Sequence, residues 1–496
     1  MMKRIYDYNL KFCKMPIVLF CIFTIFFISC KDSNVKTDIV DYNPSNPVAI
    51  TSVEPDSIHV ATQMLIGGTN FGGNKDLISV EVNGKKAAII NVNPEGTLIY
   101  CIVPSLIEAG EYHEGGDQIA ASVKVFVGSV ESNVPDKPLV YTFTQTVSTF
   151  LGYTDQDGNS IIADGTYDEA QFQNPFWMAF DTDVNGPKDE YGNPKKNIYV
   201  LEEAAASLRF IDLYNKRVET IFTKSNDLQR PRTIAYTLDG DTMIIANDGN
   251  DYNWNGTVII PRNPVSRKFA DGSPQPWRVV MHHKQCNGGA IHPVTGDYWF
   301  NSYEHGQVFK VFQRTSDGSM WKYGGPSASD INVDGAQPTH EFFRVQDDGW
   351  EFNIQIAPSG SFAYIVVRNQ HYIAKTIYDT STNAFLKSAP FVGSRQKSGF
   401  QDGVGTNTLF NFPQQGAFDK FDNFYVCDGQ NGCIRKVTPQ GQVSTFAGRP
   451  GNPGYSDGAL RDAQFNWPLG IIYDDEIQTF YIADRDNHRI RMIKLE

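Results

Sequence analysis

The chain has 496 residues, too many for one ordinary domain, and combines 41% hydrophobic and 13% aromatic residues with 42 glycines. This composition is typical of turn-rich β-proteins with large cores. The formal net charge of −13 argues against binding nucleic acid or an anionic lipid surface through bulk electrostatics. We therefore expect no nucleic-acid partner.

The first 29 residues have the pattern of a signal peptide. Basic residues precede an apolar run over 17–29, which is short for a membrane span and suitable for the apolar region of a secretory signal. Residues 27–30, Phe-Ile-Ser-Cys, resemble a bacterial lipobox. The resemblance implies that Cys30 becomes the lipidated first residue of a lipoprotein. The alternative is an ordinary exported protein in which Cys30 is incidental.

Residues 30–47 are polar and contain proline, and we interpret them as a tether. The charged sequence Lys31-Asp32-Ser33 resembles the signal that sends lipoproteins of gut Bacteroidetes to the cell surface. The resemblance implies a lipid-anchored protein of the outer membrane, displayed at the cell surface. The membrane would then be contacted through the lipid anchor only.

Residues 48–143 alternate short apolar runs with Gly, Pro and Asn, which predicts about seven short strands. Alternating faces of this kind pack into a two-sheet sandwich. The spacing from Ile50 to Pro55 and the sequence from Ile66 to Phe71 resemble the TIG/IPT branch of immunoglobulin-like folds. The resemblance implies a spacer or docking module, and we assign it no chemistry.

Three later stretches of the chain share one spacing of residues. In each, an Asp-Gly pair precedes a Phe by eight residues, the Phe precedes a Pro by three, and the Pro precedes an Asp by six. A repeat of roughly 45–60 residues made of short β-runs predicts propeller blades. The repeated phenylalanines, which we expect to fill the core, are Phe172, Phe410 and Phe465.

The later part of each copy resembles the NHL repeat, whose blades carry an Asp-x-x-Asn-x-x-Ile-Arg sequence. Residues 428–435 and 484–491 match this pattern, whereas the first copy has Glu202 and Ala205 in the Asp and Asn places. Three weaker blades can be traced between the clear copies by their inner strands. The predicted fold is therefore all-β: an immunoglobulin-like (TIG/IPT) β-sandwich over 48–143, then a six-bladed, NHL-like β-propeller over 144–496.

The final blade has only three strands before the chain stops. Residues 146–151 match the outermost strand of the blade before it. We therefore predict that Thr146–Leu151 pairs antiparallel with the last strand, around residues 489–494. This closure would remove the exposed edge of an incomplete blade. A long insertion at 314–340 has the composition of a loop, and its role stays open.

In NHL-type propellers, the turn before the inner strand and the turn after the second strand open on one face around the axis. The resemblance places aromatic, amide and Arg side chains on this face. Such a mixture suits a sugar, because rings stack on C–H faces and polar groups bind hydroxyls. Trp177 is the predicted central aromatic, unless it belongs to the core. The candidate ligand-binding residues are Trp177, Tyr252, Trp254, Tyr303, Arg368, Phe412, Gln415 and Trp467.

Cys427 and Cys433 flank one predicted turn and are candidates for a disulfide in an exported protein. The alternative is that both are small residues that fill strand ends. No Cys or His spacing resembles a zinc site, and no ring of acids or histidines recurs at the channel. We therefore expect no metal and no other cofactor, and we assign no catalytic residue.

The combination of lipidated Cys, tether, TIG-like sandwich and propeller resembles surface lipoproteins of Bacteroidetes that are encoded beside nutrient uptake systems. The resemblance implies non-catalytic capture of an oligo- or polysaccharide, as an accessory to an outer-membrane transporter complex. Two alternatives remain. One is a lyase or hydrolase with its site on the propeller axis, and the other is a protein-binding scaffold.

Overall fold

The computed structural model describes residues 39–495 except 109–110, 136, 182, 189–191, 193, 204, 224–227, 249–254, 270–277, 283–285, 303–305, 312–340 and 346–350. The described residues are almost entirely strands and turns, which confirms the all-β fold class. They include no helix long and apolar enough to cross a membrane. The signal peptide, Cys30, the first part of the tether and the 314–340 insertion lie outside the described residues.

The chain divides into two compact units. The first comprises the described residues up to Asp56, Ala61–Pro104 and Ala121–Leu139, and the second comprises Ser57–Val60, Ser105–Ala120 and the chain from Val140. The strands up to residue 142 are β1 (Ala49–Glu54), β2 (Ser57–Ile58), β3 (Gln63–Thr69), β4 (Ile78–Val82), β5 (Lys85–Lys86), β6 (Ala88–Val92), β7 (Leu98–Ile102), β8 (Gln118–Ala121), β9 (Val123–Val127), β10 (Val130–Glu131) and β11 (Leu139–Thr142).

The first unit contains two four-stranded sheets, in the orders β1-β3-β7-β6 and β10-β9-β4-β5. Every second residue along the central strands is buried, as Ile66 and Ile99 are in one sheet and Val80 and Val125 in the other. This alternation is what two sheets packed face to face require. The strands β2, β11 and β8 form a separate three-stranded sheet.

The rest of the chain forms the strands of six blade sheets. In chain order they are β12 (Gln145–Leu151), β13 (Gly165–Thr166), β14 (Pro175–Phe180), β15 (Ile198–Glu202), β16 (Ser207–Asp212), β17 (Arg217–Phe222), β18 (Pro231–Tyr236), β19 (Thr242–Asn247), β20 (Asn255–Pro261), β21 (Arg278–His282), β22 (Gly289–Ile291), β23 (Tyr298–Ser302), β24 (Gln307–Val311), β25 (Glu341–Arg344), β26 (Phe352–Ile356), β27 (Phe362–Val367), β28 (Tyr372–Asp379), β29 (Ala384–Phe385), β30 (Ala389–Val392), β31 (Gly403–Val404), β32 (Pro413–Phe418), β33 (Phe424–Asp428), β34 (Cys433–Val437), β35 (Gln442–Gly448), β36 (Gly458–Ala459), β37 (Pro468–Asp474), β38 (Thr479–Asp484) and β39 (Arg489–Leu495).

Among the described residues these strands make six sheets, which we number as blades 1–6 in the chain order of their inner strands β14, β18, β22, β26, β32 and β37. Each inner strand contacts the inner strand or second strand of the next blade, and β37 contacts β14, so the ring is closed. Phe172, Phe410 and Phe465 are fully buried, as expected for core residues. The ring therefore buries faces that no blade could bury alone.

The ring is closed by the first strand of the propeller. β12 pairs antiparallel with β39, with Thr146 opposite Lys494 and Ser148 opposite Met492. The sheet order of blade 6 is β36-β12-β39-β38-β37. The predicted pairing of residues 146–151 with the last strand is confirmed, and it covers the edge that β39 would otherwise expose.

In each clear repeat, a buried arginine hydrogen-bonds to the acidic residues whose spacing recurs between the repeats. In blade 6, Arg491 Nη1 donates to Asp484 Oδ2 at 2.9 Å and Nη2 donates to Asp457 Oδ1 at 2.5 Å. Both nitrogens also donate to backbone carbonyls. Arg209 and Arg435 make the equivalent contacts in blades 1 and 5. The Asp-Gly pair, the acid that ends the second strand and the Arg of the third strand are therefore one structural unit.

Glu202 fills the place of the motif Asp in blade 1. Its Oε1 accepts from Arg209 Nη1 at 2.8 Å, and its Oε2 accepts from the backbone N–H groups of Gln173 and Asn174 at 2.6 and 3.0 Å. In blade 6, Asp484 accepts from one such N–H, at 2.8 Å. The longer side chain thus reaches the same kinds of partner, and the first repeat keeps the structure although its sequence departs from the motif.

The three weaker blades do not have this pair of an acid at the end of the second strand and an arginine in the third strand. In blade 2, Asn247 stands in the acid's place and accepts from the backbone N–H groups of Gln229 and Arg230. The residue at the arginine's register position there is Val258. Blade 4 has Val367 and Ala374 in the two places. In blades 2 and 4 both positions are therefore uncharged, as expected because a buried charge without its partner is costly. Blade 3 differs, because Asn301 stands in the acid's place and Lys310 in the arginine's, where it pairs with Asp297 at 2.9 Å.

The suggested disulfide between Cys427 and Cys433 is absent, and both are free, buried thiols. The strand register explains why. Cys433 pairs with Asp428, so these two side chains share one face of the sheet. Cys427 precedes Asp428 in the strand and therefore points to the opposite face. The alternative interpretation, small residues that fill strand ends, fits the structure.

Candidate functional site at one end of the propeller axis

Within a blade, the end of the second strand meets the start of the inner strand. In blade 6, for example, Pro468 pairs with Asp484, and the same register holds in blades 1, 2 and 5. Residues just before and after these points therefore gather at one end of the propeller axis. We call this end the channel mouth; it comprises Glu203, Arg230, Arg232, Asp248, Asn287, Glu351, Asn353, Arg368, His371, Phe412, Gln414, Trp467 and Arg485.

One arginine of the channel mouth is fully paired. Arg232 is 2% exposed, and its Nε and Nη2 donate to Asp248 Oδ2 at 3.0 and 2.6 Å. Its Nη1 donates to Glu203 Oε1 at 2.8 Å. Burial alone would lower the pKa of Arg232, but Asp248 and Glu203 outweigh that effect and raise it. This arginine is locked in place by two carboxylates.

Two further arginines make longer ion pairs with the acids of the channel mouth, although Arg485 Nη1 also lies 2.6 Å from Asp486 Oδ1. Arg368 Nη1 lies 3.7 Å from Glu351 Oε2, and Arg485 Nε lies 3.5 Å from Glu203 Oε2. Burial lowers the pKa of Arg368, and the neighbouring positive charge of Arg232 lowers it further. The channel mouth therefore holds a guanidinium whose charge is poorly compensated.

The arginines of the channel mouth determine the pKa of Glu203, the acid that they surround. Burial would raise the pKa of Glu203, but the arginines Arg232, Arg368, Arg485 and Arg230 outweigh burial and hold it below the ordinary value. Glu203 is therefore a carboxylate. Its single negative charge interacts with several guanidinium groups and cannot neutralise all of them.

Several buried polar atoms of the channel mouth have no hydrogen-bond partner. The donors among them are Arg368 Nε, Arg485 Nε, Asn287 Nδ2 and Trp467 Nε1, and Gln414 Oε1 is an acceptor. Buried polar groups are nearly always satisfied, and each unsatisfied one costs about 1–3 kcal/mol. Similar atoms occur elsewhere in the propeller. At the channel mouth, water or a ligand could supply the missing partners.

Two aromatic rings of the channel mouth stand on strained backbone. Phe412 and Trp467 have φ of 58° and 56°, in the left-handed region that bulky residues avoid. Each ring lies under a guanidinium, with Arg368 5.9 Å from the Phe412 centroid and Arg485 5.4 Å from the Trp467 centroid. Strain of this kind is found at binding sites, where it fixes the direction of a side chain.

Two neighbours hold these rings. A Cβ added to Gly429 would lie 2.9 Å from Trp467 Cδ1, so the absence of a side chain there makes room for the indole. The His371 ring packs edge-on against Phe412 at 5.0 Å, and His371 Nδ1 accepts from the backbone N–H of Phe412 at 3.2 Å. Burial lowers the pKa of His371. The imidazole is therefore neutral, with its proton on Nε2.

Two cavities lie along the axis. The one at the channel mouth is about 10 Å³, room for a single water, and is lined by Arg232, Asn287, Glu351, Phe352, Asn353, Arg368 and Gln414. A second cavity, of about 410 Å³, lies along the later parts of the inner strands and is largely apolar, with Trp177, Ile234 and Ile354 among its lining residues. A larger open depression of about 940 Å³ lies on the first unit along β1.

Gln415, a predicted ligand contact, is already used within the protein. Its Oε1 accepts from the backbone N–H groups of Met178 and Ile471 at 3.1 and 3.2 Å, and its Nε2 donates to Met178 O at 2.7 Å. The side chain is 5% exposed. Gln415 therefore links the inner strands of blades 5, 6 and 1, and in this state it offers little to a ligand.

The structure brings together three of the predicted ligand-binding residues, Arg368, Phe412 and Trp467, at the channel mouth. Trp177 instead packs in the core with Phe176 and Tyr199, is 5% exposed and borders the apolar cavity. A role for Trp177 in ligand contact stays a prediction. The remaining candidates, Tyr252, Trp254 and Tyr303, lie outside the described residues.

Sequence reasoning missed the polar residues that flank the inner strands. Arg232, Asn353 and Gln414 each follow the first residue of an inner strand, and Asn287 precedes one. Arg232 and Gln414 each directly follow the Pro that begins an inner strand, and this common position could have identified them. Among the described residues, no group of three or more His, Cys, Asp or Glu is arranged to hold a metal ion.

Residues 47–142 match the family model of the IPT/TIG domain, which confirms the predicted module. A Bacteroides thetaiotaomicron protein of known crystal structure, described as an "auxiliary nutrient binding protein", is 32% identical; the match covers 92% of this chain and 99% of that one, with a TM-score of 0.63. The chain belongs to the same family as this protein.

A second Bacteroides thetaiotaomicron member of this family, described as a "Putative phosphatase", is 31% identical over 92% of this chain and 99% of its own, with a TM-score of 0.64. A Bacteroides ovatus "auxiliary nutrient binding protein" is 26% identical over 92% and 100%, with a TM-score of 0.70. The family resemblance therefore covers both the TIG module and the propeller.

Two curated relatives match shorter stretches. NHL repeat-containing protein 2 of Bos taurus is 34% identical over 97 residues, 19% of this chain, which supports the NHL-repeat resemblance. Protein SUPPRESSOR OF QUENCHING 1, chloroplastic, of Arabidopsis thaliana is 26% identical over 352 residues, 70% of this chain. The matched stretches span 13% and 27% of the lengths of these two relatives.

Proposed function

We propose that the chain is a non-catalytic nutrient-binding protein that captures an oligo- or polysaccharide at the channel mouth. The observation that carries this proposal is the end-to-end relationship to a Bacteroides protein described as an auxiliary nutrient binding protein. A second protein with that description has the same fold over the same span. The fold alone would not decide function, and the channel mouth supplies the local argument.

The channel mouth has the two features that saccharide sites need. Phe412 and Trp467 are half-buried rings on rigid turns, and such rings stack on the C–H faces of sugars. Around them lie buried polar atoms without partners, and sugar hydroxyls both donate and accept hydrogen bonds. A saccharide at this surface would stack on the rings and hydrogen-bond to the half-buried guanidinium groups of Arg368 and Arg485.

The same proposal includes a location and a partner. The signal peptide pattern and Cys30 support a lipid-anchored protein of the outer membrane, facing outward. The tether and the TIG module would then hold the propeller away from the membrane. We expect the bound saccharide to pass to an outer-membrane transporter complex. Replacement of Cys30 by Ala should release the protein from the membrane fraction.

The function is tested by screening the protein from Lys31 onward on a glycan array and in affinity gels, with and without EDTA. We expect retention by a subset of the glycans that EDTA does not abolish. Trp467→Ala and Phe412→Ala should each weaken retention, whereas the same change at the exposed Tyr214, 53% exposed on blade 1, should not. Absence of binding to every glycan would refute saccharide capture.

A hydrolytic role is the second candidate, because one family member of known structure is described as a "Putative phosphatase". Guanidinium groups bind phosphate well, so Arg368 and Arg485 would be the substrate-binding groups in that case. Release of p-nitrophenol from p-nitrophenyl phosphate, lost in Arg368→Gln, would favour this role. Turnover equal in the wild type and in Arg368→Gln would exclude this site as its source.

A further inference from the structure

Two groups of arginines in the propeller differ in their place in the repeat and in their partners. Arg209, Arg435 and Arg491 are fully buried, and their Nη1 and Nη2 atoms donate to two carboxylates and to backbone carbonyls. They occupy one place in the repeat and hold the blades together. Arg368 and Arg485 occupy a different place, directly after the second strand of blades 4 and 6.

The second group lacks matching partners. Among the described residues, Arg368 makes its only ion pair with Glu351, at 3.7 Å, which is longer than a hydrogen bond. Arg485 Nη1 donates to Asp486 at 2.6 Å, and Arg485 Nε, like the Nε atoms of Arg209, Arg435 and Arg491, has no hydrogen-bond partner. A guanidinium has five N–H donors in a planar fork that matches an oxyanion. Both arginines therefore keep donors unused.

Among the described residues, the equivalent places in blades 1, 2 and 5 provide two carboxylates. The residues after the second strand are Glu203 in blade 1, Asp248 in blade 2 and Gly429 in blade 5. Both oxygen-bearing members are already committed to Arg232, through contacts of 2.6 to 3.0 Å. Four arginines and four carboxylates, Glu203, Asp248, Glu351 and Asp486, thus lie at or next to the channel mouth. Among the described residues, however, no carboxylate oxygen lies within hydrogen-bond distance of Arg368.

We propose that the channel mouth binds an oxyanion, a carboxylate or sulfate group carried by an acidic saccharide, with Arg368 and Arg485 as its anchors. The saccharide part of this inference rests on the proposed function. The oxyanion would accept hydrogen bonds from the solvent-facing edges of the two half-buried guanidinium groups. Its charge would supply Arg368 with the close partner that Glu351, at 3.7 Å, does not provide.

The size of the cavity limits where the oxyanion lies. At about 10 Å³, the cavity behind Arg368 holds one water and no sugar ring. The side chains of Arg368 and Arg485 are 14% and 23% exposed, so their outer edges reach solvent. The oxyanion therefore lies at the rim, with Phe412 and Trp467 beneath the two guanidinium groups to contact the sugar ring.

The test compares ligands that differ only in charge. Tri-galacturonate and its methyl ester carry the same sugar rings with and without carboxylates; chondroitin sulfate and desulfated chondroitin do the same for sulfate. Binding is measured by calorimetry to the wild type, to Arg368→Gln and to Arg485→Gln. The matched control is Arg449→Gln, because Arg449 is 46% exposed and pairs with Asp462 outside the channel mouth.

We expect one charged ligand to bind at least about tenfold more tightly than its neutral counterpart, since hydrogen bonds to charged groups contribute about 1.5–3 kcal/mol. Arg368→Gln and Arg485→Gln should each remove this preference, and Arg449→Gln should keep it. Affinity for the charged ligand should also fall with rising salt. Melting temperatures of all variants establish that they are folded. If Arg368→Gln does not fold, Arg485→Gln alone tests the proposal.

Other results separate the two proposals. Equal affinity for charged and neutral members of both pairs, unchanged in Arg368→Gln, would overturn the oxyanion site and leave saccharide capture intact. If no saccharide binds, the proposed function fails, and inorganic sulfate then tests the oxyanion site alone. A sulfate-dependent rise in melting temperature that both Gln variants lose would support it, and an equal rise in all variants would refute it.

Discussion

Arg491 Nη1 donates a 2.9 Å hydrogen bond to Asp484 Oδ2, and neither side chain has any solvent exposure. Removing the arginine leaves a buried carboxylate without its charge partner. We expect Arg491→Val to cost about 3–5 kcal/mol of unfolding free energy. The double change Asp484→Asn with Arg491→Val reproduces the Asn247 and Val258 pair of blade 2.

The double variant should therefore be more stable than Arg491→Val alone, by about 1–3 kcal/mol. Denaturant unfolding of the wild type, both single variants and the double variant measures this coupling. Strictly additive losses would contradict the interpretation of the motif Asp and Arg as one structural unit.

The hydrogen bond from the Phe412 backbone N–H to His371 Nδ1 makes one turn of the channel mouth sensitive to pH. Burial lowers the pKa of His371, so the native state favours the neutral ring. The stability contributed by this group is fully present above its unfolded value of about 6.5 and is lost as pH falls through the lowered native pKa.

Protonation would also place a proton on the nitrogen that accepts from Phe412. We expect saccharide affinity to fall as pH falls below the ordinary His value of about 6.5 and through the lowered native pKa, with a loss that is smaller in His371→Gln. An NMR titration of the His371 ring gives its pKa directly. A value above 6.5 would contradict the expected direction.

Ring closure depends on β12, where Val147 is 1% exposed and pairs with Ile493. Val147→Asp buries an unpaired charge and should cost about 3 kcal/mol or more. The same change at Val140, which is 38% exposed, should have little effect. In hydrogen exchange, Val147→Asp should expose the amides of residues 489–495 together with those of 145–151. Unchanged protection of 489–495 would argue against the role of this closure.

Trp177 and Phe412 should respond differently to truncation. Trp177 is 5% exposed in the core of blades 1 and 2, so Trp177→Ala should cost about 3–5 kcal/mol of stability. Phe412 is half-buried at the channel mouth, so Phe412→Ala should cost less stability and weaken saccharide binding by roughly ten- to a hundredfold. A stable Trp177→Ala variant with weakened binding would move the site to the apolar cavity.

The repeat spacing was sufficient to predict the all-β class, the six blades and the pairing of residues 146–151 with the last strand. These features follow from Asp-Gly, Phe, Pro and Arg places that recur because one hydrogen-bond network needs them. The network also explains why Glu202 could replace Asp, and why Asn247 is followed by Val258 in place of Arg. Networks within one blade can therefore be predicted from the spacing of their residues in the sequence.

The channel mouth was predicted only in part, because its residues come from different blades. Arg368, Phe412 and Trp467 were predicted from the turns that open on one face in NHL-type propellers. Arg232 and Asn287 were not, because their neighbours at the channel mouth lie far away in sequence. Gln415 was predicted to face a ligand, yet its amide bonds to Met178 and Ile471. A single-blade pattern does not show what lies across the axis.

The central claim is that a saccharide binds at the channel mouth, and a crystal structure of the complex with the tightest ligand from the glycan screen tests it most directly. We predict density for a sugar ring against Phe412 and Trp467, with its polar groups within hydrogen-bond distance of Arg368 or Arg485. Density confined to the depression along β1 of the first unit, or to the apolar cavity beside Trp177, would contradict the claim.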